Sequence, residues 1–138
     1  PRTVHESSLS PCIHAVLAAK LGYTEKAYEM YLRTARLDLD DYNREVGEGL
    51  HITSMAGTWI ALVQGFGGMR TNGGELRFAP MLPEGWESLT FSIVYRRARI
   101  GMTISKHQIK LWSDRDVSIK VYDQVHQLKA NEVSEINP

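Results

Sequence analysis

Residues 70–75 read RTNGGE, and the hydrophobic pattern of the chain changes across them. From Leu9 to Gly68 apolar residues recur every three or four positions, the spacing of a helix face, whereas from Leu76 onward they alternate, the spacing of a half-buried strand. Adjacent glycines behind an asparagine are turn chemistry, so the break divides the chain into a helical part, residues 1–71, and a β part, residues 72–138. The fold class is α+β, with the two kinds of structure segregated along the chain.

Upstream of the break the pattern predicts three helices. The first covers residues 11–21, with Ser10 as its cap, Pro11 in the first turn where the missing N–H costs nothing, and Gly22 as its stop. Its apolar stripe is Ile13, Val16, Leu17 and Leu21. The second is capped by Thr24 and is amphipathic, with Ala27, Tyr28, Tyr31, Leu32 and Ala35 on one face. The third covers residues 50–66 and carries almost no charge; Ile52, Met55, Ala56, Trp59, Ile60, Val63 and Phe66 share one side, while Gly57, Ala61 and Gly65 thin out the other. Apolar, amphipathic and apolar helices in succession reproduce the alternation of inner and outer helices in a double-ring helical barrel. Three helices cannot close such a ring, and the chain opens on Pro1 rather than methionine, so we expect a piece of a longer polypeptide with most of the ring upstream.

Downstream, Leu89, Phe91, Ile93 and Tyr95 alternate with smaller or polar neighbours, followed by Ile100, Met102 and Ile104, then Ile109 and Leu111, then Val117, Ile119 and Val121. The turn signals PEGW (83–86), SKHQ (105–108) and SDRD (113–116) lie between these runs, and the connections are too short for helical crossovers. An antiparallel β-sandwich or jelly roll is expected.

Composition narrows the function. Sixteen Lys and Arg balance sixteen Asp and Glu in 138 residues, which argues against a nucleic-acid or anionic-membrane footprint. The lone cysteine, Cys12, has no partner for an internal disulfide, and no cationic, apolar signal segment opens the chain, so the cytoplasm is expected. The most apolar stretch, residues 52–66, falls short of the ~20 residues of a membrane helix. His14, His107 and His126 lack ligand spacing and no Cys cluster accompanies them, so no metal or cofactor is expected. Asp38, Asp40 and Asp41 lack the remainder of a calcium loop and read as a solvated helix exit. The GFGGM glycines follow no strand, which removes a dinucleotide fingerprint, and Trp59, Trp86 and Trp112 fit a core as well as a sugar platform.

Two polar clusters sit directly ahead of apolar helices. In His5-Glu6-Ser7-Ser8-Leu9-Ser10-Pro11, hydroxyls meet the unpaired N–H groups of a helix start, which makes either an anion cradle or plain capping. In the stretch from Glu45 to Thr53, Gly47 and Gly49 permit close backbone approach to a ligand, and His51 is placed to donate to an oxyanion or to serve as a satisfied core histidine. The starts of inner helices converge at one end of a helical barrel, so the two clusters would share a mouth.

The strings TVHESSLSPCIHAVLAAKLG (3–22), ARLDLDDYNREVGEGLHITSMAGTWIALVQGFGGMR (35–70) and LRFAPMLPEGWESLTFSIVYR (76–96) resemble the C-terminal third of glycoside hydrolase family 65 enzymes, its bacterial maltose-cleaving phosphorylases above all. The resemblance implies the end of an (α/α)6 catalytic barrel followed by a C-terminal β-sheet domain, with the N-terminal β-sandwich and the general acid outside this chain. It implies inverting phosphorolysis of an α-glucoside: maltose and phosphate give β-glucose 1-phosphate and glucose. Ser7, Ser8, Gly49, His51 and Thr53 match the phosphate-facing loops of the family, and phosphate is a substrate rather than a cofactor. The partners implied are the disaccharide, phosphate, the rest of the polypeptide and a second copy in a homodimer. Trehalose, kojibiose and nigerose remain as alternative disaccharides. A hydrolase with Glu45 or Glu48 as base, and a non-catalytic structural or dimerisation module, remain as alternative functions.

Overall fold

The computed structural model describes residues 7–41 and 44–137. His5 and Glu6 of the first cluster lie outside the described residues. Two compact units result, residues 1–66 and 67–138, dividing at 66/67 rather than at the 71/72 position expected from periodicity, because Arg70 and Thr71 already belong to the first strand.

The helical unit contains α1 (Ser10–Lys20), α2 (Thr24–Ala35), the single turn α3 (Leu37–Asp40), a 3₁₀ turn over Val46–Glu48, and α4 (Ile52–Ile60), which widens into a π-helical segment over Ala61–Phe66. The third predicted helix therefore begins at Ile52 rather than Leu50 and is not uniformly α-helical. Ser10 is inside α1 rather than its cap; Leu9 precedes the helix without a side-chain cap bond, and Tyr23 holds the corresponding place before α2, so Thr24 opens that helix rather than capping it.

The packed faces are the ones with small residues. Pro11, Cys12, Ala15 and Ala18 are the buried residues of α1, while Ile13, Leu17 and Leu21, expected to face the core, are 51%, 50% and 67% exposed. On the third helix Gly57, Ala61, Val63, Gly65 and Phe66 are buried, whereas Ile52, Met55 and Trp59 are exposed. The reason is close approach: a Cβ placed on Gly57 would lie 2.9 Å from Cys12 Cβ, and one placed on Gly65 would lie 3.7 Å from Val16 Cα. Backbones this near leave room for hydrogen and methyl groups, so the large side chains turn away from the contact.

These contacts also fix direction. Residue 57 meets residue 12 and residue 65 meets residues 15, 16 and 19, so α1 and the third helix run parallel. In α2, Thr34 meets Gly57 and Ser54, Met30 clusters with Ala15 and Ala61, and Tyr31 meets the Phe66 ring edge-on at 5.5 Å, so α2 runs antiparallel to α4. The buried hydroxyls of this seam are satisfied: Ser54 Oγ donates to the Thr34 carbonyl at 3.0 Å and Thr34 Oγ1 to the Met30 carbonyl at 2.9 Å.

The β unit contains β1 (Arg70–Asn72), β2 (Glu75–Phe78), β3 (Ser88–Tyr95), β4 (Ala98–Ser105), β5 (Ile109–Ser113), β6 (Val117–Val121), β7 (Gln124–Leu128) and β8 (Val133–Ile136). They form two four-stranded sheets, ordered β1-β2-β6-β7 and β3-β4-β5-β8, which face each other through Phe78 and Phe91, ring centroids 6.2 Å apart. Alternation holds along β4, where Ala98, Ile100, Met102 and Ile104 are buried. One pairing departs from the antiparallel expectation: β2 and β6 are parallel, in register Arg77↔Lys120 and Phe78↔Val121. The chain leaves the first sheet after β2, builds β3 to β5 in the other, and returns in the same direction, an excursion long enough to allow a parallel neighbour.

Candidate functional site

The parallel run of α1 and α4 puts both helix starts at one end of the helical unit, and the antiparallel α2 brings its own end, with α3, to the same place. Asp38 and the loop from Glu45 to Thr53 meet at that end through His51, and the Ser7-Ser8 turn leads into α1.

His51 is the centre of this assembly. It precedes α4, and its carbonyl accepts from the N–H groups of Ser54 and Met55 at 2.9 and 3.1 Å. Its ring Nδ1 donates to Asp38 Oδ1 at 2.5 Å, while its backbone N–H donates to Asp38 Oδ2 at 3.0 Å. Its Nε2 lies 3.5 Å from Glu45 Oε2. A carboxylate only accepts, so Asp38 fixes a proton on Nδ1. The hydrogen bond that His51 donates to Asp38 raises the His51 pKa above its ordinary value; desolvation opposes this, and the Asp38 and Glu45 charges add to it. The same bond holds Asp38 below the usual carboxylate range. The result is a histidine between two carboxylates ahead of a helix, its protonated form favoured by both.

Asp38 was not legible as part of this site. In the acidic run read as a solvated helix exit, each member has its own partner: Asp40 accepts from Arg36 Nε and Nη2 at 2.8 and 2.6 Å, Asp41 Oδ1 accepts from the Val46 N–H at 3.1 Å, and Asp38, its side chain 13% exposed, is held by His51. Partners within the chain account for the run without a cation.

The other predicted residues surround His51 along the sequence. Gly49 has φ 123° and ψ −177°, a conformation in which a side chain is strained, and open space lies where its Cβ would be. Thr53 is exposed in the first turn of α4. Ser7 Oγ accepts from the Leu9 N–H at 3.2 Å and its carbonyl from the Ser10 N–H at 3.2 Å, so Ser7 organises the entry to α1; Ser8 is half-buried beside it. Glu48 is exposed on the 3₁₀ turn. Beside the site, Leu37, Leu39, Leu50 and Met55 line an apolar depression of about 430 Å³ whose polar members are Thr34, Asp38, Ser54 and Thr58.

Residues 1–60 match the glycosyl hydrolase family 65 central catalytic domain, and residues 69–128 match the family 65 C-terminal domain. The chain belongs to glycoside hydrolase family 65. Among relatives of the family 65 chain, a maltose phosphorylase of Bacillus subtilis is 51% identical over 126 residues, covering 90% of this chain and 17% of its own length. An alpha,alpha-trehalose phosphorylase of Thermoanaerobacter brockii is 44% identical over 135 residues, 96% of this chain and 17% of that one. A kojibiose phosphorylase of Caldanaerobacter subterraneus is 39% identical over 124 residues, 87% of this chain and 16% of that one. The solved structure named "Putative kojibiose phosphorylase from human microbiome" superposes with a TM-score of 0.91 at 34% identity, covering all of this chain and 20% of that one. The family 65 chain thus spans about a sixth of the length of the curated relatives it matches.

Proposed function

We propose that this chain is the C-terminal part of an inverting disaccharide phosphorylase, that it supplies the phosphate-binding end of the barrel, and that maltose is the disaccharide. The observation that carries the phosphate reading is His51 ahead of α4, with Nδ1 committed to Asp38 and its protonated form favoured by that contact. An inverting hydrolase needs a base to activate water opposite the general acid. Phosphate already carries its charge, so a phosphorylase needs donors that position it and offset that charge. A protonated imidazole, the hydroxyls of Ser7, Ser8 and Thr53, and the open backbone at Gly49 are suited to that task. The hydrolase alternative asks for a carboxylate free to act on water; Glu45 is turned to His51 instead, which leaves the exposed Glu48 as the base to be tested for that reading.

In this reading the general acid comes from upstream barrel segments, the reaction needs no metal or cofactor, and the intact enzyme is a cytoplasmic homodimer. Identity to the Bacillus maltose phosphorylase supports maltose over trehalose and kojibiose. The test is product analysis of the full-length polypeptide carrying these residues, incubated with phosphate and each of maltose, trehalose, kojibiose and nigerose. Release of β-glucose 1-phosphate from maltose in preference to the others is expected. Release of free glucose alone, independent of phosphate, would overturn the phosphorylase reading, and a preference for another disaccharide would overturn maltose.

A further inference from the structure

The acidic side chain bound to His51 has its own part to play. We propose that Asp38 is the positioning residue for His51 in phosphate binding: its carboxylate engages the ring Nδ1–H and the backbone N–H of the same residue, leaving Nε2 as the atom that meets the anion. The role rests on the phosphate reading of His51 given above and deepens it.

A two-point hold restrains a histidine more than a single hydrogen bond does. Contact with the backbone N–H sets where the residue starts α4, and contact with Nδ1 sets the rotation of its ring, so both degrees of freedom that aim Nε2 are fixed by one carboxylate. The hold also decides protonation. With Nδ1–H committed to Asp38, Nε2 bears a proton only when the ring is an imidazolium; a neutral ring turns a lone pair toward the anion. Glu45 Oε2, 3.5 Å away on a side chain that is 42% exposed, shows that Nε2 already faces an anionic oxygen. Among the described residues, the charged groups facing His51 are these two carboxylates, one from α3 and one from the segment ahead of the 3₁₀ turn; α4, residues 52–60, contains no ionisable side chain.

Asparagine at position 38 removes the charge that supports the protonated ring, and its amide keeps both contacts only if a neutral ring carries its proton on Nε2 and accepts at Nδ1. In the full-length polypeptide, phosphate KM, disaccharide KM and kcat are measured for wild type, Asp38→Asn, His51→Ala and the double variant. Asp38→Asn is expected to raise phosphate KM about tenfold with a smaller change in disaccharide KM, and to shift the alkaline rise in phosphate KM to lower pH. In the His51→Ala background it is expected to add nothing, because its effect passes through His51. Equal effects of Asp38→Asn in both backgrounds, or none in the wild-type background, would overturn the positioning role while leaving His51 in place. An unchanged phosphate KM in His51→Ala would overturn the phosphate reading and the positioning role with it. Should Asp38→Asn fail to fold, Asp38→Glu, which keeps the carboxylate at a displaced position, goes through the same cycle and is judged by the same coupling.

Discussion

Gly57 lies against Cys12 so closely that a methyl group on it would sit 2.9 Å from Cys12 Cβ and 3.0 Å from its Sγ. Both partners are buried, and neither can swing away as a long side chain would. Gly57→Ala must therefore push α4 off α1, and since Ser54, bonded to the Thr34 carbonyl, is one turn earlier in α4, the displacement reaches the His51 end of the helix. A loss of about 1–3 kcal/mol is expected, read as a lower thermal midpoint of the full-length polypeptide. Gly47→Ala is the control: nothing lies within 4 Å of its Cβ position, and its midpoint should stay near wild type.

That contact also marks where sequence reading stopped. The two halves of the chain were legible because periods of 3.6 and 2 differ plainly, and the end at which α1 and α4 begin followed from the alternation of inner and outer helices. Which face of α1 is packed was not, because Ile13, Leu17 and Leu21 look like a core stripe until Gly57 and Gly65 are seen to admit only small neighbours. Asp38 was hidden for a different reason: it reaches His51 across the 41–51 loop, where no periodicity connects the two. The β3–β4 turn gave no signal either, since Arg96 and Arg97 adopt φ of 47° and 70° in place of the glycine or asparagine such turns favour.

The large residues turned away from the α1–α4 seam leave a continuous apolar strip. Leu9, Ile13, Leu17 and Leu21 follow one another at four-residue spacing and are 50–67% exposed, with Met55 and Trp59 exposed on α4. Surfaces of this kind drive association. The 138-residue chain by itself should form oligomers that grow with concentration in light scattering, and Ile13→Glu with Leu17→Glu should reduce them. A strictly monomeric wild-type chain at high concentration would count against these helices being part of a larger helical assembly.

The Asp38–His51 pair gives stability a pH dependence whose sign follows from the two shifts. His51 is raised, so its contribution is full below its ordinary value near 6.5 and is lost as pH rises through the raised value. Asp38 is lowered, so its contribution is full above its ordinary value near 3.8 and is lost as pH falls through the lowered value. The difference in thermal midpoint between wild type and His51→Gln should be largest between these two values and shrink on both sides. A difference that is flat with pH would mean that the pair is not ionised in the folded protein.

Gly49 supplies a backbone test of the same loop. Its φ of 123° is outside the range a side chain adopts without strain, although nothing lies within 4 Å of its Cβ position, so Gly49→Ala isolates conformation from crowding. A cost of about 1–3 kcal/mol is expected if the loop keeps its shape. If the loop relaxes instead, stability is retained and phosphate KM rises, because His51 follows two residues later. Either result appears in paired thermal and kinetic measurements; a variant unchanged in both would show that the conformation of Gly49 is dispensable.

The serines at the start of α1 test whether both loops serve one anion. Ser7→Ala with Ser8→Ala removes two hydroxyls; among the described residues they take part in the 3.2 Å contact from the exposed Leu9 N–H, which water can replace. Each charge-assisted contact to phosphate is worth roughly 1.5 to 3 kcal/mol, so losing one should weaken phosphate-dependent turnover by about tenfold to a hundredfold. The defect should appear in phosphate KM with maltose saturating, while disaccharide KM changes less and any slow cleavage by water persists. Ser7→Thr, which keeps the hydroxyl, should recover most of the loss caused by Ser7→Ala. A hydrolase predicts the reverse pattern: Glu48→Gln would abolish cleavage by water, phosphate would have no effect, and the serine variants would act through stability alone. An unchanged phosphate dependence in both the serine pair and His51→Ala would remove this end of the helical unit from the phosphate site.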